Sequence, residues 1–177
     1  MPVYIILFRG VGGATQLPTK PLKEALTQAG FENATTYINS GNAVVKSRLG
    51  RAKVIEAIAK LCREQFGFKK AIYAPTLAEW EALIAANPFP QAVGMPKYLH
   101  AALLEEKPDS THIAAVKMTA ADGEEFEVVG NVAYIHTPNG FGTSKFAAKF
   151  DKAIGVGNTA RNWNSVLKLR DLAKAAQ

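Results

Sequence analysis

Arg161 and Asn162, with Thr159, Trp163 and Asn164 around them, gather a guanidinium, two amides, an indole and a hydroxyl into one short stretch. Such side chains hold an anion rather than transform it. The stretch reads as the opening of the last helix, where an arginine stands at the positive end of the helix dipole. It therefore either pairs internally or helps to hold an anion. A second polar cluster, Thr36, Tyr37, Ile38, Asn39, Ser40, Gly41 and Asn42, is also rich in groups that position a ligand. A third, Gly10, Gly12 and Gly13, lies between a strand and a helix, where backbone amides can cradle a phosphate. Together with Lys145, which opens a helix carrying Lys149 and Lys152 on the same face, these clusters give the candidate ligand-binding set: Arg9, Ser40, Asn42, Lys145, Arg161 and Asn162.

Each cluster also has a plainer reading. The glycines lack both the Gly-Lys-Ser/Thr ending of a P-loop and the third glycine of a dinucleotide fingerprint, so they equally make a permissive turn. Asn and Gly around Ser40 are what a hairpin turn requires. Three lysines along one helix face are equally a solvated surface. Trp163 is most simply the first apolar anchor of the last helix.

Catalytic chemistry is harder to find. Ser40 has no histidine nearby in sequence to take its proton. His100, His112 and His136 are scattered singly without metal-ligand spacing, and Cys62 falls on the apolar stripe of a helix, where a neutral thiol is expected. The adjacent pairs Glu105/Glu106 and Glu124/Glu125 point to opposite faces of a strand and form no dyad. No metal, cofactor or catalytic residue is assigned, and whether the chain is an enzyme stays open.

The balance of charge favours anionic partners. The 177 residues carry a net charge of +6 with a pI near 9.4. Residues 46–70 hold eight Lys or Arg against two Glu, and residues 145–177 hold seven against two Asp. Residues 105–127 reverse the sign, with seven acids against two lysines. The basic segments form either one positive patch or separate solvated helix faces. Hydrophobic content of 48%, charged content of 20% and a mean hydropathy of −0.01 describe an ordinary globular chain without a membrane span. One cysteine and no secretory signal pattern point to the cytoplasm.

The elements that must position these residues follow from periodicity. An apolar strand at 3–8 precedes the glycine loop and a helix at 19–29, with Pro21 in its first turn and Gly30 at its end. Strands at 34–38 and 43–46 flank the Asn39–Asn42 turn, a helix at 52–66 stops at Gly67, and a strand at 70–74 completes the order β, α, β, β, α, β. After a helix at 77–86 and a breaker-rich connection, the pattern recurs. It comprises a strand at 98–104, a helix at 109–119, a hairpin of strands 125–129 and 132–136 closed by Gly130 and Asn131, and a helix at 144–154. The expectation is an α+β protein of two ferredoxin-like, split βαβ subdomains packed together, 1–87 and 96–177, the second carrying the extra C-terminal helix. Both faces of the first strand are apolar, so something covers the second face. The other half, a dimer partner or a ligand would each serve.

Tyr4 to Gly13, Tyr37 to Asn42, Ser144 and Lys145, and Thr159 to Asn164 followed by Val166 and Leu169 resemble, in that order, the bacterial domain-of-unknown-function family 1697. The resemblance implies two α+β subdomains and no established activity. The loop at Arg9 to Gly13 departs from it, being two residues shorter than is typical. Taken together, these readings lead to a binding module for an anionic, phosphorylated ligand such as a nucleotide or nucleic acid, with homo-oligomers compatible and no membrane role. The alternative is an enzyme acting on a small anionic metabolite at the crevice between subdomains. An RNA-recognition reading of the first sheet lacks the aromatics it needs, since the third strand offers only Ala43, Val44 and Val45.

Overall fold

A computed structural model describes residues 1–39 and 41–177. Among them are two four-stranded antiparallel sheets and six α-helices, and the chain divides into two compact units. Met1–Ala82 with Lys168–Gln177 form the first; Leu83–Leu167 form the second.

In the first unit, β1 (Val3–Phe8), β2 (Glu32–Tyr37), β3 (Asn42–Lys46) and β4 (Ile72–Tyr73) pair in the order β2-β3-β1-β4. Helix α1 (Thr19–Gln28) links β1 to β2, and α2 (Arg51–Phe66) links β3 to β4. Alternation along β1 sends Tyr4, Ile6 and Phe8 into a core with Leu22 and Leu26 of α1 and Val54, Ile58 and Cys62 of α2. Val3, Ile5 and Leu7 on the opposite face are buried as well, so the expected covering of both faces is met within the chain. α2 ends at Gly67, whose left-handed φ of +66° returns the chain toward β4. That strand is shorter than the expected 70–74; just ahead of it the Arg9 amide donates to the Ala71 carbonyl at 3.0 Å.

Helix α3 (Leu77–Ala85) follows, and Leu77 and Trp80 are buried. The terminal residues of the chain are tied to the first unit by side chains. Asn33 Nδ2 donates to the Ala176 carbonyl at 3.0 Å, Lys46 Nζ donates to the Gln177 carbonyl, and Lys174 pairs with Glu81 at 2.9 Å.

In the second unit, β5 (Leu99–Leu104), α4 (Ser110–Lys117), β6 (Glu125–Val129), β7 (Val132–His136), α5 (Lys145–Ala153) and β8 (Asn158–Asn162) repeat the order, with the sheet running β6-β7-β5-β8. Phe126 packs edge-on against Phe146 and Phe150 of α5, with ring centroids 5.9 and 5.8 Å apart, in a core that includes Ala102, Ala133 and Ile135. β8 corrects the sequence reading. Residues 159–162 do not open the last helix but pair with β5 from Leu104↔Asn158 to His100↔Asn162, and helix α6 (Trp163–Ala175) begins only after them. An open edge of β5 was available, and tertiary pairing outweighed the local resemblance to a helix start.

Candidate functional site

Two of the three polar clusters meet in the first unit. β1 ends where β3 begins, so the loop after Phe8 lies against the turn before Asn42. The Phe8 amide donates to the Gly41 carbonyl at 2.9 Å. Gly41 has φ +75°, and a Cβ placed there would stand 2.5 Å from Val11 Cγ2 and 2.9 Å from Phe8 Cβ, so glycine is required on two grounds. Beyond it the loop closes on itself: Gly12 and Thr15 exchange backbone hydrogen bonds, Gln16 Nε2 donates to the Gly13 carbonyl, and Lys70 Nζ donates to the Gly10 carbonyl at 3.0 Å.

Beside this loop opens a cleft of about 400 Å³. Gly12, Gln16, Thr19, Lys20 and Asn39 supply its polar lining, and Leu17, Pro18 and Pro21 its apolar wall. α1 starts here. Its N-cap is Pro18, which offers no side-chain acceptor, and its first turn carries no acidic residue. The first amides of an α-helix have no partner within the helix. Pro21 lacks an amide hydrogen, and the Leu22 amide already reaches the Pro18 carbonyl, which leaves the Thr19 and Lys20 amides at the opening.

The candidate residues sort unevenly. Arg9 follows β1 at the same end of the sheet, its amide paired with the Ala71 carbonyl. Ser40 lies outside the described residues. Asn42, expected as a ligand donor, is turned inward: it is 1% exposed and its Nδ2 donates to the Tyr37 carbonyl at 3.2 Å. Lys145, Arg161 and Asn162 belong to the second unit. Lys145 is exposed just after Ser144, whose Oγ caps α5 by accepting from the Ala147 amide. Asn162 caps α6, its Oδ1 accepting from the Ser165 amide at 3.0 Å.

Arg161 sits on a strand opposite Ala101, not at a helix start. Its Nη1 donates to Thr159 Oγ1 and to the Ala160 carbonyl, both at 2.8 Å, and burial lowers its pKa to about 10. The guanidinium is thus tied to residues of its own strand, β8.

Sequence reasoning missed two carboxylate–histidine pairs. His136 Nδ1 lies 2.8 Å from Glu125 Oε2, which also accepts from Gln91 Nε2 at 3.1 Å. The signal was present: a two-residue Gly130-Asn131 turn pairs Val129 with Val132, and counting back sets Glu125 opposite His136. His112 Nδ1 lies 3.0 Å from Asp109 Oδ2, and Asp109 caps α4 by accepting from the Thr111 and His112 amides. The Thr111 hydroxyl and the His112 amide together draw the Asp109 pKa down to about 2.

His100 and Cys62 are governed by burial. It lowers the imidazole's pKa to about 4 and pushes the thiol up to about 12, so that both are neutral near pH 7. Among the described residues no group of three or more His, Cys, Asp or Glu side chains is placed to hold a metal ion, and no helix is long and apolar enough to cross a membrane.

Comparison with known proteins yields one fold and one family. Over 97% of this chain and 98% of the other, the structure resembles that of the conserved bacterial protein SP0830 from Streptococcus pneumoniae, with a TM-score of 0.72 at 20% identity. That likeness is one of fold. No curated protein matches the chain. The description "Protein of unknown function (DUF1697)" matches residues 1–134, three quarters of the sequence, and the chain belongs to that family.

Proposed function

We propose that the protein is a cytoplasmic bacterial binding module for an anionic, phosphorylated ligand, and that the ligand's phosphate sits in the cleft at the start of α1. The observation that carries this reading is the convergence in one 400 Å³ opening of the Lys20 side chain, the Gln16 and Asn39 amides, the Thr19 hydroxyl and the glycine loop. Every one of those groups can donate a hydrogen bond, and the positive end of the α1 dipole faces the same space. The apolar wall of Leu17, Pro18 and Pro21 suits a ligand with a carbon skeleton behind its phosphate. Arg9 is a flanking donor in this scheme. Lys145, Arg161 and Asn162 stay further donor candidates in the second unit, with Arg161 acting first as a brace.

We read residues 1–87 and 96–177 as two ferredoxin-like split βαβ subdomains, with the end of the last helix, Lys168–Gln177, clustering with the first compact unit. The shared element order and the corresponding sheet orders β2-β3-β1-β4 and β6-β7-β5-β8 support this.

The experiment is thermal melting with inorganic pyrophosphate, for the wild type and for Lys20→Ala. Pyrophosphate raises the wild-type melting temperature in a saturable way, by the linkage between binding and stability, and raises that of Lys20→Ala far less. Equal shifts in both proteins would place the anion elsewhere, and no shift in either would end the reading.

A further inference from the structure

α1 buries Leu22, Ala25 and Leu26 and turns Lys20, Lys23, Glu24, Thr27 and Gln28 to the surface. Their spacing of i, i+3, i+4, i+7 and i+8 makes the exposed residues one stripe along the helix. They line a second hollow, of about 410 Å³. Lys20 lines both this hollow and the cleft at the start of the helix, so the two adjoin.

The two hollows differ in chemistry. Lys20, Thr19 and the amides of Gln16 and Asn39 make the first a place of donors. The second adds acceptors. A carboxylate only accepts, and among the described residues Glu24 is held in no ion pair. The Thr27 hydroxyl donates to the Lys23 carbonyl at 2.9 Å, so what its oxygen offers outward is a lone pair. A second phosphate would meet the negative charge of Glu24, whereas neutral hydroxyl groups find acceptors there. The helix sets the separation: from Lys20 to Glu24 it rises about 6 Å, comparable with the span from the phosphorus to the ring hydroxyls of a pentose 5-phosphate.

We propose, on the footing of the phosphate site above, that the ligand is a sugar phosphate with a free vicinal diol, of the ribose 5-phosphate type. The phosphate occupies the cleft, the sugar ring lies over the methylene stems of Lys20 and Lys23, and the diol donates to the Glu24 carboxylate. Acidic side chains hold ribose hydroxyls in the same way in dinucleotide sites. A 2-deoxy sugar lacks one of the two donors, and a sugar esterified at its 3-position, as within a nucleic acid chain, lacks the other.

The test is calorimetric titration of the full chain with ribose 5-phosphate, 2-deoxyribose 5-phosphate and inorganic pyrophosphate. The wild type binds ribose 5-phosphate about tenfold or more tighter than the deoxy sugar, as the loss of a hydrogen bond to a charged group requires. Glu24→Ala, an exposed helix position where alanine is well tolerated, brings that ratio close to one and binds pyrophosphate at least as tightly as the wild type. If pyrophosphate does not bind the wild type, the phosphate site falls and the diol site falls with it. If pyrophosphate binds but the wild type does not distinguish the two sugars, or Glu24→Ala keeps the preference, the diol site alone is overturned and the phosphate site stands.

Discussion

Glu125 and His136 face each other across the β6–β7 hairpin, their side chains meeting at 2.8 Å on the face of the sheet that also presents Tyr134. Tyr134 is fully buried and donates its hydroxyl to the Leu83 carbonyl at 2.6 Å, so the pair stands at the rim of a closed surface. With side-chain exposures of 14% for the histidine and 42% for the glutamate, the bond is partly screened. Glu125→Ala therefore costs about 0.2–1 kcal/mol of stability, the range of exposed pairs. Urea denaturation of the two proteins measures it.

Acid sensitivity has two stages with one sign. His100 has a pKa of about 4 in the fold against 6.5 in the unfolded chain, so between those values only the unfolded state takes up the proton. Its contribution is complete above pH 6.5 and is lost as the pH falls toward 4, reaching roughly 3 kcal/mol at most. Asp109, lowered from 3.8 to about 2, adds a second loss below pH 3.8. Urea midpoints from pH 7 to 4 follow the first stage, and His100→Phe flattens it.

Two glycine substitutions separate strain from clash. Gly130 has φ +62° with open space around its Cβ position, so Gly130→Ala costs about 1 kcal/mol from backbone strain alone. Gly41→Ala adds an encounter with Val11 and Phe8 and costs more than about 2 kcal/mol. Comparison of their urea midpoints tests the close approach of loop and turn.

Much of the fold was legible in sequence because its signals were local. The 125–129 and 132–136 strands were read to the residue from alternation and a Gly-Asn turn. Pro21, Gly30 and Gly67 marked the helix ends. The element misread, β8, has no such signal: Thr159 to Asn162 becomes a strand only because β5 leaves an edge for it. The candidate site was half legible for the same reason. Polar clusters showed which segments are rich in donors, yet whether Asn42 points inward and Arg161 braces a strand depends on partners distant in sequence or set by the pleat. The cleft residues Gln16, Thr19 and Lys20 were passed over because none belongs to a dense polar run.

Removing the Arg161 guanidinium tests its bracing role. Arg161→Met keeps the aliphatic stem, loses the bonds to Thr159 and Ala160, and lowers stability by about 1–3 kcal/mol, while leaving the pyrophosphate shift of the melting temperature in place.

Amide chemical shifts during titration with pyrophosphate test the central claim most directly. The account predicts saturable movements concentrated at Gly12, Gln16, Thr19, Lys20 and Asn39, which line the cleft. Small, unsaturating movements spread over the lysine-bearing faces of α2 and α5, with the α1 cleft silent, would contradict it.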